Sequence, residues 1–129
     1  MAAKIVVVTD QAARPVQGAP YSQAIRSGDL VFVSGQLPVA AATGQVVGTT
    51  IQEQTEQALR NVGAILEAAG SGLDRLVKTT VFLARLEDFP AMNEVYRRHV
   101  GDRPPARSTV EVSKLPFGAL LEVDAIAHL

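Results

Sequence analysis

The 129-residue sequence contains no cysteine and no tryptophan, and only 5% of its residues are aromatic. Without a thiol, the chain forms no disulfide, offers no thiolate nucleophile and builds no zinc–thiolate site. Its two histidines, His99 and His128, lie too far apart in the sequence to match a common metal-ligand spacing. We therefore expect no bound metal and no cofactor.

An excess of positive charge is also missing, because 12 lysines and arginines stand against 13 aspartates and glutamates. The net charge of −1 does not indicate nucleic acid or an anionic membrane as a partner. The apolar run in "MAAKIVVVTD" is too short for a signal peptide, and no run reaches the length of a membrane span. These features predict a cytoplasmic protein.

The composition that is present, 47% hydrophobic and 19% charged, is typical of a globular protein. The length suits one domain over residues 1–129, without internal repeats or a low-complexity linker. Strand and helix patterns follow one another in the order β-β-β-α-β-α-β-β. The strand patterns cover residues 4–9, two segments within 24–36, then 76–86, 106–112 and 119–129.

Two amphipathic segments predict the helices. In the first, Thr50 followed by Glu53 forms a capping-box pattern, and Gly70 supplies the stop. In the second, Asp88 is placed to cap the helix, which we expect to end before Gly101. Two helices cover only one face of a six-stranded sheet, so the other face remains open.

Alternation along each strand separates an apolar face from a mixed face. We expect the helices to cover the apolar face, which includes Val77. The mixed face combines large apolar side chains with charges and hydroxyls: Phe32, Ser34, Gln36, Lys78, Phe82, Glu122, Asp124 and Ile126. Such a mixture indicates a subunit interface that contains a polar pocket, and hence a homo-oligomer. The alternative is a monomer with a solvated face.

The stretch "PPARSTVEV" begins a strand pattern with Arg107, directly behind two prolines. Alternation places Arg107 on the mixed face, together with Thr109. If the two closing strands pair, Glu122 lies on the same face. The pair then either forms an ordinary cross-strand ion pair or belongs to a binding site.

Five segments together resemble the RidA/YjgF/UK114 family, and the resemblance covers almost the whole chain. They are "APYSQAI", "VFVSGQLPV", "TGQVV", "QALRNVGAILEAAGSGLDRLVKTTVFLARLEDFPAMNEVY" and "PPARSTVEVSKLPFGALLEVDAIA". The resemblance implies a chorismate-mutase-like α+β fold, with a six-stranded, mainly antiparallel sheet and two helices on one face. It also implies a homotrimer with sites between subunits.

The same resemblance implies hydrolysis of 2-imino acids, or of the enamines they tautomerise from, to 2-keto acids and ammonia. Pyridoxal-phosphate enzymes such as threonine dehydratase form these intermediates. The substrates implied are 2-iminobutanoate and 2-iminopropanoate. The alternatives are a regulator that binds small carboxylates without turnover, and an endoribonuclease or translation inhibitor.

The family's site residues fall on matching positions of this chain. The carboxylate-binding arginine falls on Arg107, and the acidic residue falls on Glu122. The remaining positions, expected to contact the substrate, are Tyr21, Ser34, Gly35, Asn93 and Thr109. Many members carry cysteine where this chain has Thr109. Since water is a sufficient nucleophile for an imine, we treat the threonine as a tolerated variant.

Overall fold

The computed structural model describes residues 3–129, and within them the chain forms six strands and two helices. Their bounds are β1 Lys4–Val7, β2 Ala24–Ser27, β3 Leu30–Gln36, α1 Ile51–Ala68, β4 Leu76–Leu83, α2 Phe89–Val100, β5 Ala106–Glu111 and β6 Leu121–His128. The element order predicted from the sequence is confirmed. Among the described residues, no helix is both long and apolar enough to cross a membrane.

All six strands form one sheet in the order β1-β2-β3-β6-β4-β5. Every neighbouring pair is antiparallel except β4 and β5, which run parallel. The chain leaves β4 through α2 and returns alongside it as β5, as a parallel connection requires. The prediction of a mainly antiparallel α+β sheet is confirmed.

Helix α1 begins at the predicted capping box. The Thr50 hydroxyl accepts a hydrogen bond from the Glu53 backbone N–H at 3.2 Å, and the Glu53 carboxylate accepts one from the Thr50 N–H at 3.2 Å. The reciprocal pair satisfies two of the N–H groups that a helix start leaves without partners. Just past the helix, Gly70 takes a left-handed φ of 90°, which stops it.

Asp88 lies directly before the first residue of α2, in the N-cap position, but its side chain makes no capping hydrogen bond. The predicted position is therefore correct and the predicted role of the side chain is wrong. Pro90 lies in the first turn, where its missing N–H costs nothing, and its fixed φ suits the helix. Gly101 ends the helix with a φ of 72°, as predicted.

Both helices contribute to one core, which lies on one face of the sheet. The strand residues of this face are almost completely buried: Val31, Val33, Val81, Leu83, Leu121, Val123, Ala125 and Ala127. They pack with Leu59, Ile65, Leu66 and Met92 of the helices. On the opposite face Phe32 is 42% exposed and Val110 43% exposed. The predicted separation into a covered and an open face is confirmed for β6 and for most of β3 and β4. On β5 it is reversed, because the alternation that puts Arg107 on the mixed face puts Val110 on the covered one.

Two register shifts move residues away from the faces that simple alternation predicts. A shift between Leu76 and Lys78 leaves Val77 exposed rather than on the covered apolar face. A second shift lies between Val33 and Gln36, and it turns Gln36 into the core opposite Val123. An extra residue in one strand moves every later side chain of that strand to the opposite face of the sheet. Both corrections follow from this effect.

The predicted common face for Arg107 and Glu122 is wrong. The two closing strands do not pair, because β4 lies between them. Arg107 is opposite Thr79, whose side chain is buried under α2, whereas Glu122 is opposite Phe82 on the open face. Within one chain, the two side chains therefore project from opposite faces of the sheet, and an ion pair between them is also excluded.

Candidate functional site

Six of the seven predicted site residues line two separate pockets, and Thr109 lines neither. We call the first the Glu122 pocket; it has a volume of about 380 Å³ and is lined by Val16, Tyr21, Ser34, Gly35, Leu37, Pro116 and Glu122. We call the second the Arg107 pocket; it has a volume of about 560 Å³ and contains Asn93, Tyr96 and Arg107 on its wall. No lining residue is shared between them.

The register shift in β3 shapes the Glu122 pocket. It occurs at Ser34 and Gly35, directly beside the neighbouring strand that carries Glu122. A Cβ atom at position 35 would overlap the Glu122 Oε1 atom and lie 2.9 Å from the carboxyl carbon. Gly35 thus supplies the space that the carboxylate occupies, and bulges with this effect are frequent beside active sites.

The environment of Glu122 increases the affinity of its carboxylate for a proton. Burial raises the pKa of Glu122 above the ordinary carboxyl value, and the nearby Asp124 carboxylate raises it further. Within residues 3–129, Glu122 has no ion-pair partner that would stabilise its charge. A carboxyl group with a raised pKa exchanges protons closer to neutral pH, which suits general acid–base catalysis.

Two hydroxyl groups in this pocket already have one backbone partner each. Ser34 donates its hydroxyl proton to the Ser22 carbonyl at 2.6 Å, so its oxygen is left as an acceptor toward a ligand. The Tyr21 hydroxyl accepts the Val16 N–H at 3.1 Å and keeps its own proton for donation. Tyr21 is 43% exposed, and it forms part of the pocket rim.

In the Arg107 pocket, the guanidinium lies against two aromatic rings of α2. The Cζ atom is 4.7 Å from the centre of the Tyr96 ring and 5.2 Å from that of Phe89. The Tyr96 hydroxyl forms a hydrogen bond of 2.7 Å with the buried Thr79 hydroxyl. Cation–π contacts of this kind hold the guanidinium in place without neutralising it.

Sequence reasoning missed Tyr96 as a residue that positions Arg107. The available signal was the seven-residue spacing of Phe89 and Tyr96, which puts both rings on one side of a helix. Within the described part of the chain, Arg107 has no carboxylate partner. Its hydrogen-bond donors remain free for a ligand.

Two further predicted residues belong to the Arg107 side. Asn93 lines the pocket, and its Oδ1 atom is buried without a hydrogen-bond partner. Unpaired buried acceptors are rare in native proteins and need an explanation, for which a bound donor is one. Thr109 lies two residues beyond Arg107 on the same face of β5, opposite Val81. Within residues 3–129, no cluster of histidines and carboxylates is placed to hold a metal ion.

Comparison with known proteins identifies the family. The model of the family described as Endoribonuclease L-PSP matches residues 11–129. A RutC family protein of Pyrococcus abyssi is 48% identical over 98% of both chains. Reactive Intermediate Deaminase A of Arabidopsis thaliana, a chloroplast protein, is 45% identical over 98% of this chain and 66% of its own length.

A solved structure of a relative has the same fold. The crystal structure of TdcF from E. coli with bound serine superposes with a TM-score of 0.90. It is 38% identical and covers 98% of this chain and 99% of its own. The Pyrococcus protein therefore matches this chain in sequence and length, and TdcF matches it in fold and length. The chain belongs to the RidA/YjgF/UK114 family, to which the reactive intermediate deaminases also belong.

Proposed function

We propose that this protein hydrolyses reactive 2-imino acids, such as 2-iminobutanoate and 2-iminopropanoate, to 2-keto acids and ammonia. The observation that carries the proposal is the Arg107 guanidinium, which is held against Tyr96 at a pocket wall without a carboxylate partner in residues 3–129. A planar carboxylate is the ligand that matches this rigid fork with two parallel hydrogen bonds. The name of one relative, Reactive Intermediate Deaminase A of Arabidopsis thaliana, supports the same chemistry.

In the proposed reaction, Arg107 binds the substrate carboxylate and thereby fixes the neighbouring imine carbon. Glu122 takes a proton from a water molecule while the water oxygen forms a bond to that carbon. That proton passes to the imine nitrogen, so the intermediate carries one hydroxyl and one amino group on the same carbon. The hydroxyl proton then moves to the amino nitrogen, the carbon–nitrogen bond breaks, ammonia leaves, and the hydroxyl oxygen becomes the keto oxygen. Imine and water are thus converted into keto acid and ammonia.

The other side chains have supporting roles in this scheme. The unpaired Asn93 Oδ1 accepts an N–H of the imine or of the departing ammonia. Tyr21 donates its hydroxyl proton and covers the ligand from the rim. The reaction needs no thiol at the position of Thr109, since the attacking atom comes from water.

A complete site requires a second copy of the chain, because Arg107 and Glu122 project from opposite faces of the sheet. An interface that joins the Arg107 pocket of one copy to the Glu122 pocket of the next uses two different surfaces. Such a head-to-tail contact does not make a twofold dimer, and it forms a ring where the rotation between copies closes. We place three copies in the ring, in line with the family resemblance. The half-exposed Phe32 and Val110 supply apolar area for the contact.

The test couples the protein to threonine dehydratase and threonine and measures the rate of 2-ketobutanoate release. We expect faster release with the protein present. We expect Arg107→Lys to raise KM roughly ten- to a hundredfold, because a charge-assisted double hydrogen bond is lost. Arg75→Lys is the control, since Arg75 is exposed and lines neither pocket. An intact oligomer that leaves the rate unchanged would disprove the proposal.

The shared site has a separate test. Arg107→Ala and Glu122→Gln are each expected to be inactive alone. After the two variants are unfolded and refolded together, random mixing restores about a quarter of the sites, because one variant supplies the arginine and the other the glutamate. Persistent inactivity of the mixture, in confirmed mixed oligomers, would place both residues in the same copy and contradict this assembly.

A ligand-binding regulator is the second candidate, and the relative with bound serine favours it. Tight keto-acid binding in calorimetry without any acceleration of imine hydrolysis would support this function. An endoribonuclease, named in the family description, is less consistent with a net charge of −1 and 5% aromatic residues. RNA cleavage that co-purifies with the oligomer and survives Arg107→Ala would favour it over both.

A further inference from the structure

A third pocket adjoins the Glu122 pocket, and we call it the Phe117 pocket after a residue on its rim. It has a volume of about 410 Å³. The two pockets share Val16, Tyr21, Gly35 and Leu37 as a common wall. A ligand whose reacting carbon lies at Glu122 therefore has this space directly beside it.

The Phe117 pocket offers mainly apolar surface. Ala13, Val39, Ala41 and Phe117 contribute side chains without polar atoms to its lining. The most buried polar group, the Gln23 amide, is fully occupied: it accepts the Thr9 N–H at 2.8 Å and donates to the carbonyls of Thr9, Ala12 and Ala13. The charged lining residue, Arg14, is already paired with Asp10 at 2.6 Å, so the apolar part of the wall is the part left to bind hydrocarbon.

Within one copy of the chain, core packing does not explain why residue 117 is aromatic. Its side chain is 56% exposed, and its backbone adopts a left-handed conformation with φ 59° and ψ 22°. A bulky residue rarely takes this conformation, and an exposed ring gains little from packing. Across the pocket, Gln17 is left-handed as well, with φ 52°. These are the only two non-glycine residues with positive φ within residues 3–129, and both line this pocket.

We propose that the Phe117 pocket receives the substrate side chain, and that Phe117 sets a preference for imino acids with large apolar side chains. This inference rests on the function proposed above. The pocket holds space for on the order of ten water molecules, far more than a methyl or ethyl group fills. The preferred substrates are therefore imines of amino acids with isobutyl, thioether or benzyl side chains.

The expected preference follows from the transfer of hydrocarbon out of water. Each methylene group placed in the pocket strengthens binding about fourfold. The isobutyl keto acid 4-methyl-2-oxopentanoate should therefore bind tens of times more tightly than pyruvate. We expect the same order in kcat/KM when an amino acid oxidase generates the corresponding imines.

The first test measures dissociation constants of the whole oligomer for pyruvate, 2-oxobutanoate, 4-methyl-2-oxopentanoate and phenylpyruvate. Binding alone is sufficient for this test, so its result is separate from that of the deaminase assay. An affinity that rises with side-chain size supports the inference even if no imine is hydrolysed. A flat or falling series overturns it even if the deaminase assay succeeds.

Two variants test whether the Phe117 ring causes the preference for large side chains. Phe117→Asn removes the ring but suits the left-handed backbone, which asparagine tolerates. We expect it to reduce the ratio of isobutyl to methyl affinity by about tenfold, whereas Phe117→Leu retains most of the ratio. Leu86→Ala, an exposed apolar residue outside all three pockets, is the control that leaves the ratio unchanged. An unaltered ratio in Phe117→Asn would contradict the assignment.

Discussion

Replacing Gly35 by alanine tests the close approach of β3 to the Glu122 carboxylate. The new Cβ would overlap Oε1 and lie 2.9 Å from the carboxyl carbon and 3.2 Å from Cγ of Glu122. The backbone itself accepts alanine, since Gly35 is not among the residues with positive φ. The carboxylate, as the end of a flexible side chain, must therefore move by on the order of 1 Å to regain an ordinary contact.

This displacement predicts a large loss of activity with little loss of stability. A misplacement of about 1 Å costs roughly a hundredfold in rate. The altered Glu122 rotamer costs about 1 kcal/mol. Alanine offsets this by a similar amount, about 0.4–1 kcal/mol, because it restricts the unfolded chain. We expect kcat for imine hydrolysis to fall about a hundredfold while the melting temperature shifts by only a few degrees.

The assay compares Gly35→Ala, Glu122→Gln and the double variant for keto-acid release, with thermal melts of each protein. If the alanine acts through the carboxylate, the double variant is no slower than Glu122→Gln alone, because the two changes remove one interaction. Wild-type activity in Gly35→Ala would refute the reasoning. So would multiplicative losses in the double variant, since they would assign Gly35 a separate role.

Three further predictions concern stability. Since burial raises the pKa of Glu122, the folded chain holds this proton more tightly than the unfolded chain. The stabilisation that comes from this tighter proton binding is fully present below the ordinary carboxyl pKa. It is lost as the pH rises through the raised pKa of Glu122. Glu122→Gln should thus become more stable relative to wild type as the pH rises from about 4 to 8 in urea titrations; parallel profiles would contradict this. Thr50→Ala should lower the free energy of unfolding by about 1 kcal/mol through loss of the α1 cap, and Thr50→Ser should retain it. Tyr96→Phe should cost about 1–2 kcal/mol in chemical denaturation, because the buried Thr79 hydroxyl loses its partner. Tyr21→Phe, at an exposed position, should cost less, and equal losses would count against this explanation.

Features that depend on neighbouring residues were predictable from the sequence. The Thr50 capping box and the stop at Gly101 each lie within one turn of the helix end that they define. The alternation of Val81 and Leu83 correctly identified a strand with one buried face. These signals are local, so they do not depend on the arrangement of distant segments.

The faces of the site residues were not predictable in the same way. Alternation gives the relative orientation of residues within a strand, but a single extra residue at Ser34–Gly35 reverses it beyond that point. A glycine inside a strand pattern, such as Gly35, favours a bulge but does not fix which residue is the extra one. The same limit explains the errors at Val77 and Gln36.

The sequence by itself determined the element order, the amphipathic faces and the residue types available for chemistry, because propensity, capping and periodicity act over a few residues. Only the tertiary structure decided that β4 lies between β5 and β6, since strand order depends on how the entire sheet packs against α1 and α2. Within that order, Arg107 pairs with the buried Thr79 and lies on the helix side near Tyr96, whereas Glu122 pairs with Phe82 on the open side. The physical reason is that a side chain's absolute direction depends on its strand's neighbours and on the layer that covers them.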